Sequence, residues 1–344
     1  MQRLHEHLSR WIVAYVAAAM ALGLLIGYPA ESFSQAHNGL LDVAATVLVF
    51  AVVYPMMVNL RLAAVAQAAR HWRALALTLA YSFLWAPAIG YVLARIFLPD
   101  PDLALGFLLV MVVPCSSMSV GYTGLTKGNV ELATLVVAVS FLVAMAAVPG
   151  WMSLFAGRLH VPVPVGEMLR TVAEVLLAPM LLGMLTRAIL ERQLGSVGYR
   201  RLQPLFPSAS LLAMFALIGV LFFTKAGLIL DRWPTVLLLV VPSTLYIVLS
   251  LALETWINRR LGFAYRDHMA MVFAASSSNN ATAIAVATLA FSPLVAIPAA
   301  TAPIAQQFVM AAYVRLAPRV RAYFGEASGE APAPPDWHAD GPPR

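Results

Sequence analysis

The sequence predicts an all-α polytopic membrane protein of about ten transmembrane helices, arranged as two inverted five-helix repeats whose fourth and ninth helices are broken and cross. Three observations predict it: an extreme apolar composition, a charge asymmetry that only an even span count preserves, and interruptions at matched ordinal positions.

Of 344 residues, 61% are hydrophobic and 11% charged, and the mean hydropathy is +0.81. Soluble domains carry about 45–50% apolar and about 25% charged residues, so a soluble fold is excluded. The net charge of +6 is a matter of orientation, since Lys and Arg collect in cytoplasmic loops, and no nucleic-acid partner is expected. The single cysteine, Cys115, excludes an internal disulfide and a multi-cysteine metal site.

Residues 1–10, with Arg3 and Arg10, form a cytoplasmic N-terminus. The first apolar run, 11–28, is longer than the core of a typical secretion signal and no small-x-small cleavage site follows it, so it is a span. Runs at 39–60, 74–98, 103–125 and 132–156 complete a first repeat over 11–156. Runs at 166–190, 207–226, 233–255, 268–291 and 294–315 make a second repeat over 164–315. With ten spans, the termini and the loops after even-numbered spans share one side. Seventeen of the 22 Lys and Arg fall there, against Arg95, Arg158, Arg170, Lys225 and Arg232 opposite, which puts both termini in the cytoplasm of an inner-membrane protein. The tail, 325–344, is rich in Pro, Gly, Ala and acid and lacks apolar periodicity, and it is expected to be a disordered cytoplasmic extension.

Span four carries Met111-Val112-Val113-Pro114-Cys115-Ser116-Ser117-Met118 at mid-membrane. Pro114 removes a backbone donor, and Ser116 or Ser117 is placed to cap a restarted helix. Span nine carries Ala275-Ser276-Ser277-Ser278-Asn279-Asn280-Ala281-Thr282. Five consecutive polar residues point all round a helix, which lipid does not tolerate unless protein or a watery cavity surrounds them. A proline kink plus a small-residue interface would explain either break alone. Five spans per repeat is an odd number, so homologous halves insert with opposite orientation, and discontinuous helices at matched positions are the mark of an inverted-repeat transporter.

The expected substrate-binding set is Cys115, Ser116, Ser117, Ser119, Ser277, Ser278, Asn279 and Asn280. These are uncharged donors and acceptors, joined by positive half-helix dipole ends that favour an anion or an oxygen-rich neutral solute. Cys115 is either a soft ligand for a thiophilic substrate or a small buried hydrophobe. Neither break holds an acid to balance a bound Na⁺. Asp42, Glu174 and Glu254 are proton-relay candidates, although Arg170, four residues before Glu174, also suits a structural ion pair. Glu254 sits near the end of span eight, within snorkelling reach of the interface. Gln306 and Gln307 lie at depth in span ten and either line the cavity or bond between helices. The histidines lie in termini, loops and at one span edge, that of His268. No enzyme site, metal site or cofactor is expected.

Pro114-Cys115-Ser116-Ser117-Met118, running on to Leu125-Thr126-Lys127-Gly128-Asn129, resembles the proline-cysteine stretch and following loop of the arsenite-efflux permeases, which share a superfamily with the bile acid:sodium symporters. Tyr54-Pro55-Met56-Met57-Val58 is similar to the same permeases, and Asn280 with Ala283-Ile284-Ala285-Val286-Ala287 resembles the superfamily's ninth span. The resemblance implies a ten-helix fold of panel and core domains, a functional cysteine at Cys115, and metalloid efflux in exchange for protons. The sequence departs from the pattern at three points. Ala281 and Gln306 stand near acids expected in arsenite permeases, and Ala275 stands near the sodium-binding glutamate of the symporters. The function expected is secondary transport outward of a small metalloid or oxyanion such as arsenite, by proton antiport. The alternative is transport of an organic anion, with or without Na⁺.

Overall fold

The computed structural model describes residues 7–9, 11–59, 71–116, 118–159, 161, 166, 170, 173–231 and 233–325. Among these, the chain is helical, and one isolated bridge replaces any sheet. Ser117, residues 1–6 and 10 of the N-terminus, and the tail from 326 onward lie outside the described residues.

In chain order the helices are α1 (Ile12–Gly27), α2 (Glu31–Ala36), α3 (Asn38–Val58), α4 (Trp72–Phe97), α5 (Pro101–Val112), α6 (Met118–Leu125), α7 (Val130–Leu159) and α8 (Ala178–Leu202). There follow α9 (Leu205–Thr224), α10 (Ala226–Asp231), α11 (Trp233–Leu238), α12 (Val240–Arg260), α13 (Tyr265–Ser276), α14 (Asn280–Ala290) and α15 (Pro293–Tyr323). Among the described residues, six helical segments are long and apolar enough to cross a membrane unaided: Asn38–Val58, Trp72–Phe97, Val130–Leu159, Leu205–Thr224, Val236–Arg260 and Leu294–Tyr323. Shorter apolar helices at Ile12–Gly27, Pro101–Val112 and Asn280–Ala290 accompany them. Leu25, Ile26, Val47, Leu84, Ile96 and Phe308 are exposed on the outer surface, as suits helices whose solvent is hydrocarbon.

Several helices outrun the apolar windows. α12 continues to Arg260 and α15 to Tyr323. Charged residues such as Arg315, Arg319 and Arg321 lower the hydropathy of a segment without ending its backbone hydrogen bonding, so composition marks the hydrocarbon boundary rather than the helix end.

The helices pack in two groups. α9 runs along α1 and α3, with α8 also against α3. In the other group α15 packs on α5, α14 and α12, while α7 packs on α5 and α13. The groups meet where α14 touches α3 and α15 touches α1.

Backbone contact at small residues sets the spacing, because lipid supplies no hydrophobic drive between helices. A Cβ added at Gly27 of α1 would lie 2.3 Å from the Phe223 carbonyl oxygen of α9. One added at Gly106 of α5 would lie 2.1 Å from the Val295 carbonyl oxygen of α15. In α4 a π-helical turn at Tyr81–Trp85 frees the Phe83 carbonyl, which accepts from Trp151 Nε1 at 2.9 Å. The same turn presents Tyr81 and Trp85 to α12, where they donate to Asn258 Oδ1 and Ser250 Oγ, each at 3.0 Å.

Gly106→Ala forces α5 and α15 apart and is expected to cost about 1–3 kcal/mol, the range for overpacking. Gly157→Ala, with nothing within 4 Å, is the control. Thermal unfolding of the purified protein in detergent should show a clear loss for the first and none for the second.

Candidate functional site

Both interruptions predicted from sequence are breaks in the structure, and they cross. Beyond α5, Val113 is extended at φ −70° and ψ 155°, and beyond α13, Ser277 is extended at φ −113° and ψ 103°. The two stretches pair as a single antiparallel bridge, Cys115 opposite Ser278. Ser116 N–H donates to the Ser277 carbonyl at 3.1 Å, and Asn279 N–H donates to the Pro114 carbonyl at 3.0 Å. Backbone groups that neither helix satisfies are thus satisfied by the other break.

Each helix restarts under a side-chain cap. Ser116 Oγ accepts from Met118 N–H at 3.2 Å, and Asn279 Oδ1 accepts from Thr282 N–H at 3.1 Å. The outer ends are tied as well: Asn129 caps α7 through Leu132 N–H at 3.0 Å and donates from Nδ2 to Asp267 Oδ1 on α13 at 2.7 Å.

Beside the crossing lies a cavity of about 130 Å³. Its polar wall comes from Ser116, Ser278, Asn279, Asn280, Gln306 and Gln307, and Met56, Met118, Phe141 and Met214 supply apolar surface. No charged side chain is among the lining residues described. Asn280 donates from Nδ2 to Gln306 Oε1 at 3.3 Å, while its Oδ1 has no partner among the described residues although the side chain is only 7% exposed. Asn279 Nδ2 rests against Met56 Sδ at 3.0 Å, and Gln307 Nε2 against Met118 Sδ at 3.6 Å. Thioether sulfur is a weak acceptor, so two amide groups stand ready to exchange it for an oxygen. Tyr122 donates to Gln307 Oε1 and holds that side chain in place.

Of the sequence-predicted residues, Ser116, Ser278, Asn279 and Asn280 meet in this cavity, together with Gln306 and Gln307. Three lie beside it and turn elsewhere. Cys115, 3% exposed, places Sγ 3.2 Å from Ser140 Oγ of α7. Ser119 donates to the Ser116 carbonyl at 2.7 Å, and Ser277 to the Phe273 carbonyl. Ser117 lies outside the described residues. Of the three relay candidates, Asp42 and Glu174 are not at the site. Asp42 is exposed, and Glu174 is exposed and paired with Arg170 at 2.7 Å.

One expectation from sequence is corrected. Glu254 does not snorkel: α12 runs six residues beyond it to Arg260, and it is 1% exposed. Its Oε1 accepts from Ser276 Oγ, at the end of α13, at 3.2 Å. His268, near the start of α13, is fully buried, bonded to Asn258 and Tyr313 and stacked on Phe324. Sequence reasoning also missed Met56, Met118 and Phe141 as cavity residues, since an apolar side chain in an apolar span carries no signal of its own. Among the described residues no group of three or more His, Cys, Asp or Glu is placed to hold a metal ion.

Apolar membrane-length helices around a pair of crossed, broken ones define a multi-pass membrane protein with a partly polar cavity between its helices. The family model for the sodium bile acid symporter family matches residues 46–232, more than half of the chain, and the protein belongs to that family. It is 21% identical over 339 residues to the arsenical-resistance protein Acr3 of Alkaliphilus metalliredigens, covering 94% of this chain and 95% of the relative. It is 27% identical over 301 residues to Acr3 of Corynebacterium glutamicum, covering 81% and 80%. It is 25% identical over 222 residues to the uncharacterized sodium-dependent transporter YocS of Bacillus subtilis, covering 62% and 64%.

Loss of the Asn279 cap should lower stability by about 1 kcal/mol, while serine, also a good cap, should retain most of it. Thermal unfolding of Asn279→Ala against Asn279→Ser checks this, with the serine variant expected close to the parent.

Proposed function

We propose that the protein is a secondary active transporter that exports a small, oxygen-rich metalloid, arsenite in the first instance, across the cell's inner membrane. The observation that carries this reading is the cavity. At about 130 Å³ it is well below the roughly 300–1,000 Å³ of sites for drug-sized ligands, and its polar wall is uncharged. Arsenous acid is mostly neutral at neutral pH and needs no counter-charge. Asn279 and Gln307 give up their thioether contacts to donate to its oxygens, and Asn280 turns its buried, unpartnered Oδ1 to accept from an As–OH. Cys115 in this state is bonded to Ser140, and rotation about its Cα–Cβ bond is the step that would bring sulfur to arsenic. The likeness to two arsenical-resistance proteins supports the same substrate.

In this reading the helices form ten spans in two inverted repeats, 11–156 and 164–315, with both termini cytoplasmic. The group built on α5–α7 and α12–α15 rocks as a core against a panel of α1, α3, α8 and α9, exposing the crossing alternately to either side. Proton antiport is the coupling proposed. A second reading, Na⁺-coupled transport of a small organic anion, is favoured by the family and by the sodium-dependent relative.

The test is arsenite accumulation in cells lacking their own efflux system, at equal membrane abundance of each variant. The parent should lower accumulation, Asn280→Ala should abolish the effect, and Cys115→Ser, which keeps a hydroxyl for Ser140, should lose most of it. Ser140→Ala should stay close to the parent. Unchanged accumulation with the parent, together with sodium-dependent anion uptake, would replace this reading with the second.

A further inference from the structure

Glu254 is the acid of the protein interior that the cavity does not use. It is 1% exposed, Ser276 is its one hydrogen-bond donor, and Oε2 has no partner among the described residues. Neither described ion pair involves it, these being Arg170–Glu174 and Arg187–Glu191. The titratable groups around it are Tyr246 on its own helix, Tyr81 from α4 and Tyr313 from α15, the last two linked through Asn258 and His268. A tyrosine hydroxyl supplies no countercharge. A fixed carboxylate in such a place is costly, and membrane proteins keep one where it acts in ion or proton movement.

Its placement gives it a connection to the site. Ser276 is the last residue of α13, next to Ser277, whose carbonyl accepts from Ser116, and two before Ser278 of the bridge. The carboxyl therefore reaches, from a neighbouring continuous helix, the same break whose own residues carry no acid.

We propose that Glu254 takes up and releases the coupling proton, and that the Ser276 hydroxyl passes its protonation state to the crossing. This rests on the exporter reading for the identity of the cargo. With the carboxylate ionised, Ser276 O–H donates to Oε1, as in this structure. A proton from water on the outer side forms an O–H bond at Oε2. Oε1 then loses the charge that strengthened its bond from Ser276, and the Ser276 hydroxyl turns more readily to the backbone of the break. Release of that proton to cytoplasmic water restores the first state. One proton is taken up and one released per cycle, and no other bond changes.

Two measurements on the full chain test this. Infrared pH titration of the purified protein in lipid, with no substrate present, should show the C=O stretch of a protonated carboxylic acid that titrates in the parent and is missing in Glu254→Gln. Identical titrating bands in both would overturn the proposal whatever the cargo is. In vesicles loaded with arsenite and a pH-sensitive dye, the parent should move protons with arsenite. Glu254→Gln should still move arsenite, with dye response reduced to the leak of empty vesicles, and Glu254→Asp should recover part of it. A full dye response in Glu254→Gln would also overturn the proposal. If the parent moves no arsenite, the exporter reading fails and the infrared result alone decides the role of Glu254.

Discussion

The pairing of the two breaks is the constraint on which the rest of the structure depends. A helix interrupted inside a bilayer exposes peptide groups that lipid cannot bond, at several kcal/mol for each group left unsatisfied. Ser116 with Ser277 and Asn279 with Pro114 remove that cost reciprocally. Neither break is tenable alone, and the pair brings Ser116, Ser278, Asn279 and Asn280 to one wall. The polar site is in this sense a by-product of satisfying the backbone: the caps that restart the helices are also side chains of the cavity.

The packing around the crossing divides into tight and loose contacts. Gly106 lets the α5 backbone approach the α15 backbone at Val295, and Asn129 ties the start of α7 to that of α13. These contacts bind both broken helices and α15 into one body. From the other group α3 presents Met56, a flexible side chain with a soft sulfur, against Asn279. Backbone-to-backbone contacts resist sliding, while thioether-to-amide contacts yield at little cost, so the Met56 contact is the softer of the two kinds.

Most of the helical framework was legible in the sequence because apolar length is set by bilayer thickness and needs no tertiary knowledge. The breaks were legible for the same reason, since polar residues at mid-span have to be enclosed. What sequence could not give was side-chain direction. Cys115, Ser119 and Ser277 belong to the same polar runs as the cavity residues, yet one faces Ser140 and two bond to backbone carbonyls of their own segment. Burial of Glu254 was invisible because it depends on α4 and α15, whose approach is set by a π turn and by residues distant in sequence. The acids that looked promising by depth, Asp42 and Glu174, lie on outward faces, a distinction that hydropathy does not carry.

The crossing also has a history within each molecule as it is made. Residues 114–116 enter the membrane long before their partners at 277–279 leave the ribosome. At about 5–20 residues per second, the separation of roughly 160 residues corresponds to about 8–30 s of synthesis. For that interval the first half carries a polar gap with no partner strand, and water, the insertion machinery or a neighbouring helix has to shield it. The second half closes the gap on arrival, and a chain truncated before residue 277 would leave the first half with a site that cannot form.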